Sequence, residues 1–428
     1  MIKKNCLLLP IYIVFNILFI LVCGYFYEIN ELSYYNFSKY YNYLLILNII
    51  VLFIIFIKRT IKKEKMNFNI VDVAVILILF FGIISVIFAI KPNVALHGIQ
   101  GRYEGYLMIL YYFSIFLLST FVEKEYKKII VFSLLIVGVI QLAYAILQIN
   151  EIEGIVRHYN YSEVWATGFT TNPGFFSTFM LLCLCYAMGL YIDENKLLVN
   201  IVYMILISLF TVGLLISNAM SGVVGLISVM MFILFYVVKV KRIKKMVVIL
   251  LIIFSSLLVV CKLNITKLVG DFRQTAVETK EIAKGNINDN FGTKRLFIWK
   301  NTLKIVPQNI LNGVGIDNFY YAFGNRPLWK GNYFYDKAHN EYLQILICEG
   351  VFALIVYLCF YGIILIRGIR NCFKNKEVYL IVPVIGYLVQ AFFNFSVIEV
   401  EPYVFIAIGL CVLRGNYNEK SKCRNTNT

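Results

Sequence analysis

The run IVDVAVILILFFGIISVIFAI, residues 70–90, carries a single charged side chain, that of Asp72. About 20 consecutive apolar residues are enough for an α-helix to cross the hydrocarbon core of a bilayer. This run therefore predicts a membrane-spanning helix, and it sets the class of structure expected for the rest of the chain.

Similar runs recur from one end of the chain to the other. Of the 428 residues, 60% are hydrophobic and 15% are charged, and the mean hydropathy is +0.77. A soluble domain is about half apolar and about a quarter charged. We therefore predict an all-α polytopic membrane protein with about twelve spanning helices. The expected spans are residues 6–26, 41–57, 70–90, 104–122, 128–148, 173–191, 197–217, 220–238, 246–261, 341–366, 378–395 and 402–413.

The basic residues indicate how these helices are oriented. The segments expected on the inner side hold about 24 Lys and Arg, whereas the short outer loops hold about four. Cytoplasmic loops of membrane proteins collect Lys and Arg, so both termini are expected in the cytoplasm. The net charge of +16 has the same origin and does not indicate nucleic-acid binding.

This alternation divides the chain into three parts. Residues 1–261 are expected to form a bundle of nine helices, residues 262–340 an extracytoplasmic loop, and residues 341–428 three further helices and a cytoplasmic tail. The turn between the seventh and eighth spans is very short, from Ser217 to Ser221. One bent helix in its place is the alternative, and it would invert the orientation of everything downstream.

The large outer loop contains a helical pattern from Arg295 to Val306, followed by Pro307. Apolar residues recur there at helical spacing. The hypothesis is a helix lying in the plane of the membrane interface, with Trp299 as an anchor at the level of the lipid headgroups. The apolar face is expected to consist of Leu296, Trp299, Leu303 and Val306, with Asn301 and Lys304 opposite.

One histidine lies where the large outer loop meets the next span. His339 stands in the stretch KAHNEYLQ, residues 337–344. An imidazole there is held close to a helix, and it can take a proton from a hydroxyl near neutral pH. His339 is therefore the candidate catalytic residue. The alternative is a histidine at a helix start that contacts lipid headgroups.

Two arginines on the expected outer side are candidates for binding an anionic ligand. Arg102 and Glu104 lie between glycines at the start of the fourth span, and Arg295 opens the interfacial helix. A guanidinium group matches phosphate oxygens with two parallel hydrogen bonds, so two arginines can hold a diphosphate. The alternatives are an interfacial arginine at Arg102 and a headgroup contact at Arg295. Acidic pairs such as Glu399 and Glu401 are read as solvated loop edges, and no metal site is expected.

An ordered set of motifs resembles one known family. The set consists of Arg102-x-Glu104-Gly105, Gly168-x-x-x-Asn172-Pro173, Arg295-x-x-x-Trp299, Gly313-Val314-Gly315-Ile316-Asp317-Asn318-Phe319, and His339-Asn340-x-x-Leu343-Gln344 followed by Glu349-Gly350. Together these motifs resemble the bacterial O-antigen ligase and O-antigen polymerase superfamily, over roughly residues 70 to 410.

The resemblance implies a membrane glycosyltransferase with a GT-C-like architecture. The donor would be a glycan on undecaprenyl diphosphate, and the acceptor would be a glycan, lipid or protein. His339 would be the base or the group that positions the acceptor, and neither cofactor nor metal is implied. The remaining site residues, which would bind diphosphate or substrate, are Arg295, Arg102, Glu104, Asn340, Gln344 and Trp299.

The chain departs from the family pattern in places. The family often has Ser-Arg-Gly after the seventh span, whereas this chain has Met220-Ser221-Gly222. An arginine usually assigned to diphosphate binding is therefore missing. The residues do not separate a polymerase from a ligase. A polytopic transporter or flippase, and a non-catalytic scaffold for surface polysaccharide assembly, are the alternatives from other classes.

Overall fold

A computed structural model describes residues 7–29, 33–63, 68–156, 158–160, 163–263, 268–286, 288–324 and 335–412. The basic residues at Lys3 and Lys4 and the tail from Arg414, which contributed to the predicted orientation, lie outside these ranges.

Helices dominate the described residues, and one short antiparallel hairpin joins His158–Asn160 (β1) to Glu163–Trp165 (β2). The helices are α1 (Leu8–Glu28), α2 (Tyr34–Ile61), α3 (Ile70–Ile87), α4 (Pro92–His97), α5 (Tyr106–Thr120), α6 (Lys127–Ile149), α7 (Pro173–Asp193), α8 (Leu197–Ile216), α9 (Met220–Lys239), α10 (Ile243–Lys262), α11 (Leu268–Ala283), α12 (Arg295–Ile305), α13 (Phe319–Gly324), α14 (Glu341–Glu349), α15 (Val351–Asn375), α16 (Val378–Gln390) and α17 (Glu401–Cys411).

Nine helices in the described ranges are long and apolar enough to cross a membrane, namely α1, α2, α3, α6, α7, α8, α9, α10 and α15. Three shorter apolar helices, α5, α16 and α17, complete a set of twelve. The chain is therefore an all-helical polytopic membrane protein, as predicted. The shorter helices are mostly buried among the others, so they need not meet lipid along their length.

The loops fall into two sets at opposite ends of the bundle. At one end, the loop at 88–105 contacts the long segment between α10 and α14, where the Ile90 N–H donates to the Val314 carbonyl at 3.0 Å. At the other end, Lys124 forms an ion pair with Glu377 at 3.4 Å. We call the first end the long-loop end. This division agrees with helices that alternate in direction.

The short turn between α8 and α9 is a true reversal of the chain. Helix α8 ends at Ile216 and α9 begins at Met220. Near the start of α10, the Lys245 ammonium donates to Asn200 Oδ1 at 2.9 Å, close to the start of α8. Helix α9 therefore runs back beside α8, and the alternative of one bent helix is wrong.

The span expected at residues 341–366 is two helices rather than one. Gly350 separates α14 from α15 with a φ of +90°, a conformation that favours glycine. A β-carbon there would lie 2.2 Å from the Leu311 carbonyl oxygen, so the chain is also too crowded for a side chain. Only α15 is long enough to span, and Glu349 ends α14 instead of lying within a spanning helix.

The span expected at 378–395 also ends early, at Gln390. The following residues leave the helix because they contact residues at the long-loop end. The Ala391 carbonyl accepts the N–H of Glu341 at 2.9 Å, and Phe395 packs against His339. We call residues 391–396 the aromatic loop.

Helix α12 confirms the predicted helix at Arg295, but its predicted apolar face is wrong in part, although Val306 is buried as its place on that face implies. Leu303 is 56% exposed, and Asn301, expected on the solvent side, is buried. Helix α12 packs against α13 and α14 in a small separate core, so protein contacts set its buried face instead of a lipid surface. The buried residues are Ile298, Asn301, Thr302 and Ile305.

The centre of the bundle is α7, whose membrane-length window is completely buried. It packs closely against α16, α8 and α9. The approach to α16 depends on Gly189, because a β-carbon at this position would lie 2.3 Å from the Tyr379 Cα. Packed interiors have few voids, so α7 and α16 cannot move apart to make room for a larger side chain.

We predict that Gly189→Ala destabilises the bundle by about 1–3 kcal/mol through overpacking. The measurement is the Tm of the detergent-solubilised protein. Gly362→Ala, on α15, is the control, because a β-carbon there meets no atom within 4 Å. Equal Tm values for the two variants would show that α7 and α16 are not in close contact.

Candidate functional site

A buried ammonium group organises the segment that leads into α14. Lys337 is 3% exposed. Its Nζ lies 2.8 Å from Asp317 Oδ1 and 3.5 Å from Glu104 Oε2. Burial alone would lower the pKa of Lys337, but the Asp317 and Glu104 carboxylates outweigh it and raise that pKa above its usual value. Lys337 therefore remains charged and links three segments of the chain.

Asp317 is held by more than this ion pair. Its second oxygen, Oδ2, accepts the backbone N–H of Ile99 at 2.7 Å. The neighbouring Asn318 accepts the N–H of Lys91 at 2.9 Å. These bonds fix the loop before α5 to the segment before α13, which places Arg102 and Glu104 at the site.

Arg102 lies at the edge of the same site, in an ion pair with Asp336. Arg102 Nε is 2.5 Å from Asp336 Oδ2. Burial would raise the pKa of Asp336, but the Arg102 guanidinium lowers it below the usual range. The guanidinium also lies over the Phe395 ring, 5.3 Å from its centroid. Arg102 therefore contributes positive charge while one of its donors is occupied.

His339 stands between these charges and the aromatic loop. Its ring meets Phe395 edge-on, with centroids 5.0 Å apart. Its φ is +51°, an uncommon conformation for a residue other than glycine and one often found at functional sites. Burial, together with Arg295 and Arg102, lowers the pKa of His339 to about 4. The imidazole is thus neutral at pH 7, and within the described ranges no residue hydrogen-bonds to it.

Arg295 is the first residue of α12, after two residues in left-handed conformation. Its Nη1 donates to Thr293 Oγ1 at 2.8 Å. Its Nε is buried and has no acceptor among the described residues. Burial lowers the pKa of Arg295, although a guanidinium stays charged at neutral pH. A charged donor without an acceptor beside His339 is suited to an anionic ligand.

Three other predicted site residues support His339 instead of facing open space. Trp299 donates its indole N–H to the Ala338 carbonyl at 3.0 Å, and its ring packs on Phe392. Asn340 caps α14 by accepting the N–H of Leu343 at 3.0 Å. The remaining residue, Gln344, accepts the Ala338 N–H at 2.8 Å. The expected headgroup anchor at Trp299 is therefore a brace between α12 and the segment that carries His339.

Glu104 lies deeper, at the wall of a cavity of about 50 Å³. Its Oε1 accepts the hydroxyl of Tyr112 at 2.7 Å, and its Oε2 accepts that of Ser396 at 2.7 Å. Glu104 is therefore engaged by Lys337, Tyr112 and Ser396 together. The other ionisable residues that line the cavity are Asp317, Glu341, Glu349, Glu401 and the tyrosines Tyr357, Tyr361 and Tyr387.

The fold and the site define a class of protein. It is a polytopic membrane protein with a partly buried site of ion-paired residues at one end of its helical bundle. The family model described as O-antigen ligase matches residues 202–358, a little over a third of the chain. This match confirms the resemblance to the O-antigen ligase and polymerase superfamily and supports a glycosyl-transferring enzyme of that type. No curated protein matches the chain.

The matched segment includes Arg295, Trp299, His339, Asn340 and Gln344, whereas Arg102 and Glu104 lie outside it. The structure nevertheless brings all seven together. Long-range contacts hold these seven residues close to one another. The residues that make those contacts had no role predicted from the sequence: Asp317, Asp336, Lys337, Phe395 and Ser396. Asp317 stands within a family motif, which was a usable signal, but nothing in the sequence distinguished Phe395 or Ser396.

We predict that Lys337→Met destabilises the protein by about 3–5 kcal/mol, because it leaves two buried carboxylates without their cation. The measurement is again the Tm in detergent. Lys300→Met is the matched control, since Lys300 and its partner Asp289 have side chains 57% and 49% exposed. That exposed pair contributes at most about 1 kcal/mol. Similar losses of Tm in both variants would contradict the role given to Lys337.

Proposed function

We propose that the protein transfers glycan from undecaprenyl diphosphate to an acceptor hydroxyl on the outer face of the cytoplasmic membrane, as a surface polysaccharide polymerase or ligase. One observation carries the proposal. His339, a neutral imidazole without a hydrogen bond from any described residue, lies in the electrostatic field of the Arg295 guanidinium, whose buried Nε has no acceptor among those residues. The imidazole is suited to bind a hydroxyl group, and the guanidinium is suited to bind a diphosphate.

The diphosphate is bound mainly by Arg295. Its buried Nε–H has no acceptor among the described residues and is available to a ligand oxygen, and charge-assisted hydrogen bonds to phosphate are among the strongest in proteins. Arg102 adds positive charge near His339 while it remains paired with Asp336. Two guanidinium groups stabilise the negative charge that develops on the diphosphate as the sugar leaves.

His339 holds the acceptor. Because its pKa is lowered to about 4, its ring keeps a lone pair at neutral pH and accepts a hydrogen bond from the acceptor hydroxyl. Trp299, Asn340 and Gln344 fix the short segment that carries it. A rigid support of this kind keeps the nucleophile aligned, and a displacement of about 1 Å can cost a hundredfold in rate.

Orientation and architecture complete the proposal. With both termini cytoplasmic, the long-loop end faces outward, on the side where the proposed transfer takes place. The residues with chemical function lie at that end of the bundle, whereas transporters place their substrate sites near the middle of the membrane. This placement favours a transferase of GT-C-like architecture over a transporter or flippase. The donor sugar is already activated by its diphosphate, so the transfer consumes no nucleotide.

We predict that His339→Ala abolishes transfer without unfolding the protein. The assay uses the full chain in liposomes with undecaprenyl diphosphate-linked repeat units, and product length is read on a gel. Longer glycan from the wild type identifies a polymerase, and a new conjugate with a separate acceptor identifies a ligase. Unchanged product from His339→Ala would exclude His339 from the reaction.

We predict that Arg295→Ala lowers the rate by about 10²–10³-fold, the usual effect of removing one donor to a developing negative charge. The measurement is the initial rate at saturating acceptor, with donor affinity measured in parallel. Arg273→Ala is the control, because Arg273 is an exposed arginine on α11 in the same long segment. Equal rates for the two variants would mean that Arg295 does not bind the diphosphate.

A further inference from the structure

Glu341 is a carboxyl group at the site for which the family motifs and the proposed function give no role. It follows His339 by two residues, opens α14 and lines the cavity. Its Oε2 accepts the backbone N–H of Ser396 at 2.6 Å, so the carboxyl is fixed to the aromatic loop that also supports the imidazole. Glu341 as a residue is half-buried, whereas Glu349 and Glu401 in the same cavity are buried.

Glu341 has no cationic partner among the described residues. The single ammonium in the cavity, that of Lys337, is already shared by Asp317 and Glu104. Burial and the nearby Glu104 raise the pKa of Glu341 to about 7, although Ser396 and Lys337 act in the opposite direction. The titratable groups that face Glu341 from the surrounding elements are Glu104, Lys337, Glu349, Tyr357, Tyr361, Tyr387 and Glu401.

We propose that Glu341 is the catalytic base that takes the proton of the acceptor hydroxyl, while His339 holds that hydroxyl in line. The proposal rests on the proposed transferase function. The hydroxyl oxygen forms a bond to the anomeric carbon of the donor sugar. The bond from that carbon to the diphosphate oxygen breaks, and its electron pair leaves with the lipid diphosphate. The hydroxyl proton is transferred to the Glu341 carboxylate.

The charges at the site favour this division of roles. A general base works best when its pKa lies near the working pH, because it is then both deprotonated and basic enough to hold the proton. Glu341 meets both conditions near pH 7. His339 is deprotonated at that pH, but burial, together with the charges of Arg295 and Arg102, makes it a weak proton acceptor. The anionic donor offsets part of that positive charge, so the two groups must be separated by experiment.

The cavity behind Glu341 provides a route for the proton to leave. Ser396 links Glu341 to Glu104 through hydrogen bonds of 2.6 and 2.7 Å. Further in, Glu349 Oε2 is buried without a hydrogen-bond partner in the described part of the chain. One water needs roughly 10–15 Å³ of such a cavity, so a volume of about 50 Å³ admits a few. Waters in a cavity of this size would connect the carboxyl groups.

The test measures initial transfer rates of the full chain in liposomes from pH 5.5 to 9. The wild-type rate is expected to fall as pH drops below about 7, because Glu341 becomes protonated. Glu341→Gln keeps an acceptor for Ser396 but has no basic oxygen. It is expected to lower the rate by about 10²–10⁴-fold and to leave donor affinity unchanged. It is also expected to abolish the acidic limb of the pH profile, which is the fall in rate below about pH 7. Glu341→Asp retains the limb at a reduced rate.

Two controls make the outcome decisive. Glu153→Gln, an exposed residue of another loop, should behave as the wild type. His339→Gln should lower the rate but keep the acidic limb. If Glu341→Gln keeps the wild-type rate, or if only His339→Gln removes the limb, Glu341 is not the base, although the transferase function stands. If the wild type forms no product, the transferase function itself is wrong and the role of Glu341 falls with it.

Discussion

The ammonium of Lys337, enclosed by Asp317 and Glu104, is the interaction on which the site depends. Glu104 lies 233 residues before Lys337 in the sequence, Asp317 comes from a third segment, and all three side chains are buried. Ions taken out of water are stable only when they are paired, so none of the segments can move away alone. Arg102, His339 and the cavity are positioned as a consequence.

The helical framework could be predicted because hydropathy is a local property of the chain. The spans, and the separate α8 and α9, follow from runs of apolar residues and the charges between them. The errors occur where a tertiary contact overrides the local pattern. Residues 391–395 are apolar enough to extend α16, but Ala391 bonds to Glu341 and Phe395 packs on His339. Likewise, the buried face of α12 is set by α13 and α14 instead of lipid.

The candidate site was predictable only in part, for a related reason. His339 and Arg295 stand in recognisable motifs, and within the described ranges the His339 ring has no hydrogen bond and the buried Nε of Arg295 has no acceptor. Trp299, Asn340 and Gln344 stand in the same motifs but support the backbone around Ala338. A motif indicates that a residue is important for function. Only the contacts in the structure distinguish a group that faces the ligand from a group that supports the ligand-facing residue. Ser396 belongs to no motif and yet joins two carboxylates.

The missing arginine of the Ser-Arg-Gly pattern also has a structural counterpart. Ser221 is buried and accepts the Gln390 amide at 3.4 Å, and a β-carbon at Gly222 would lie 2.0 Å from Ser177 Oγ. Neutral polar side chains therefore fill this part of the bundle. The cations of the site are instead Arg102, Arg295 and Lys337, and in the proposed function Arg295 and Arg102 act on the anionic donor without a third arginine from α9.

Whether the donor lipid releases its glycan tests the proposed transferase function most directly. The full chain would be placed in liposomes with its undecaprenyl diphosphate-linked repeat unit, and ³¹P NMR would follow the phosphorus signals. The account predicts that free lipid diphosphate accumulates as the glycan-linked signal disappears and glycan product forms. Donor that crosses the bilayer with its glycan-linked signal intact would contradict the account and would identify the protein as a transporter.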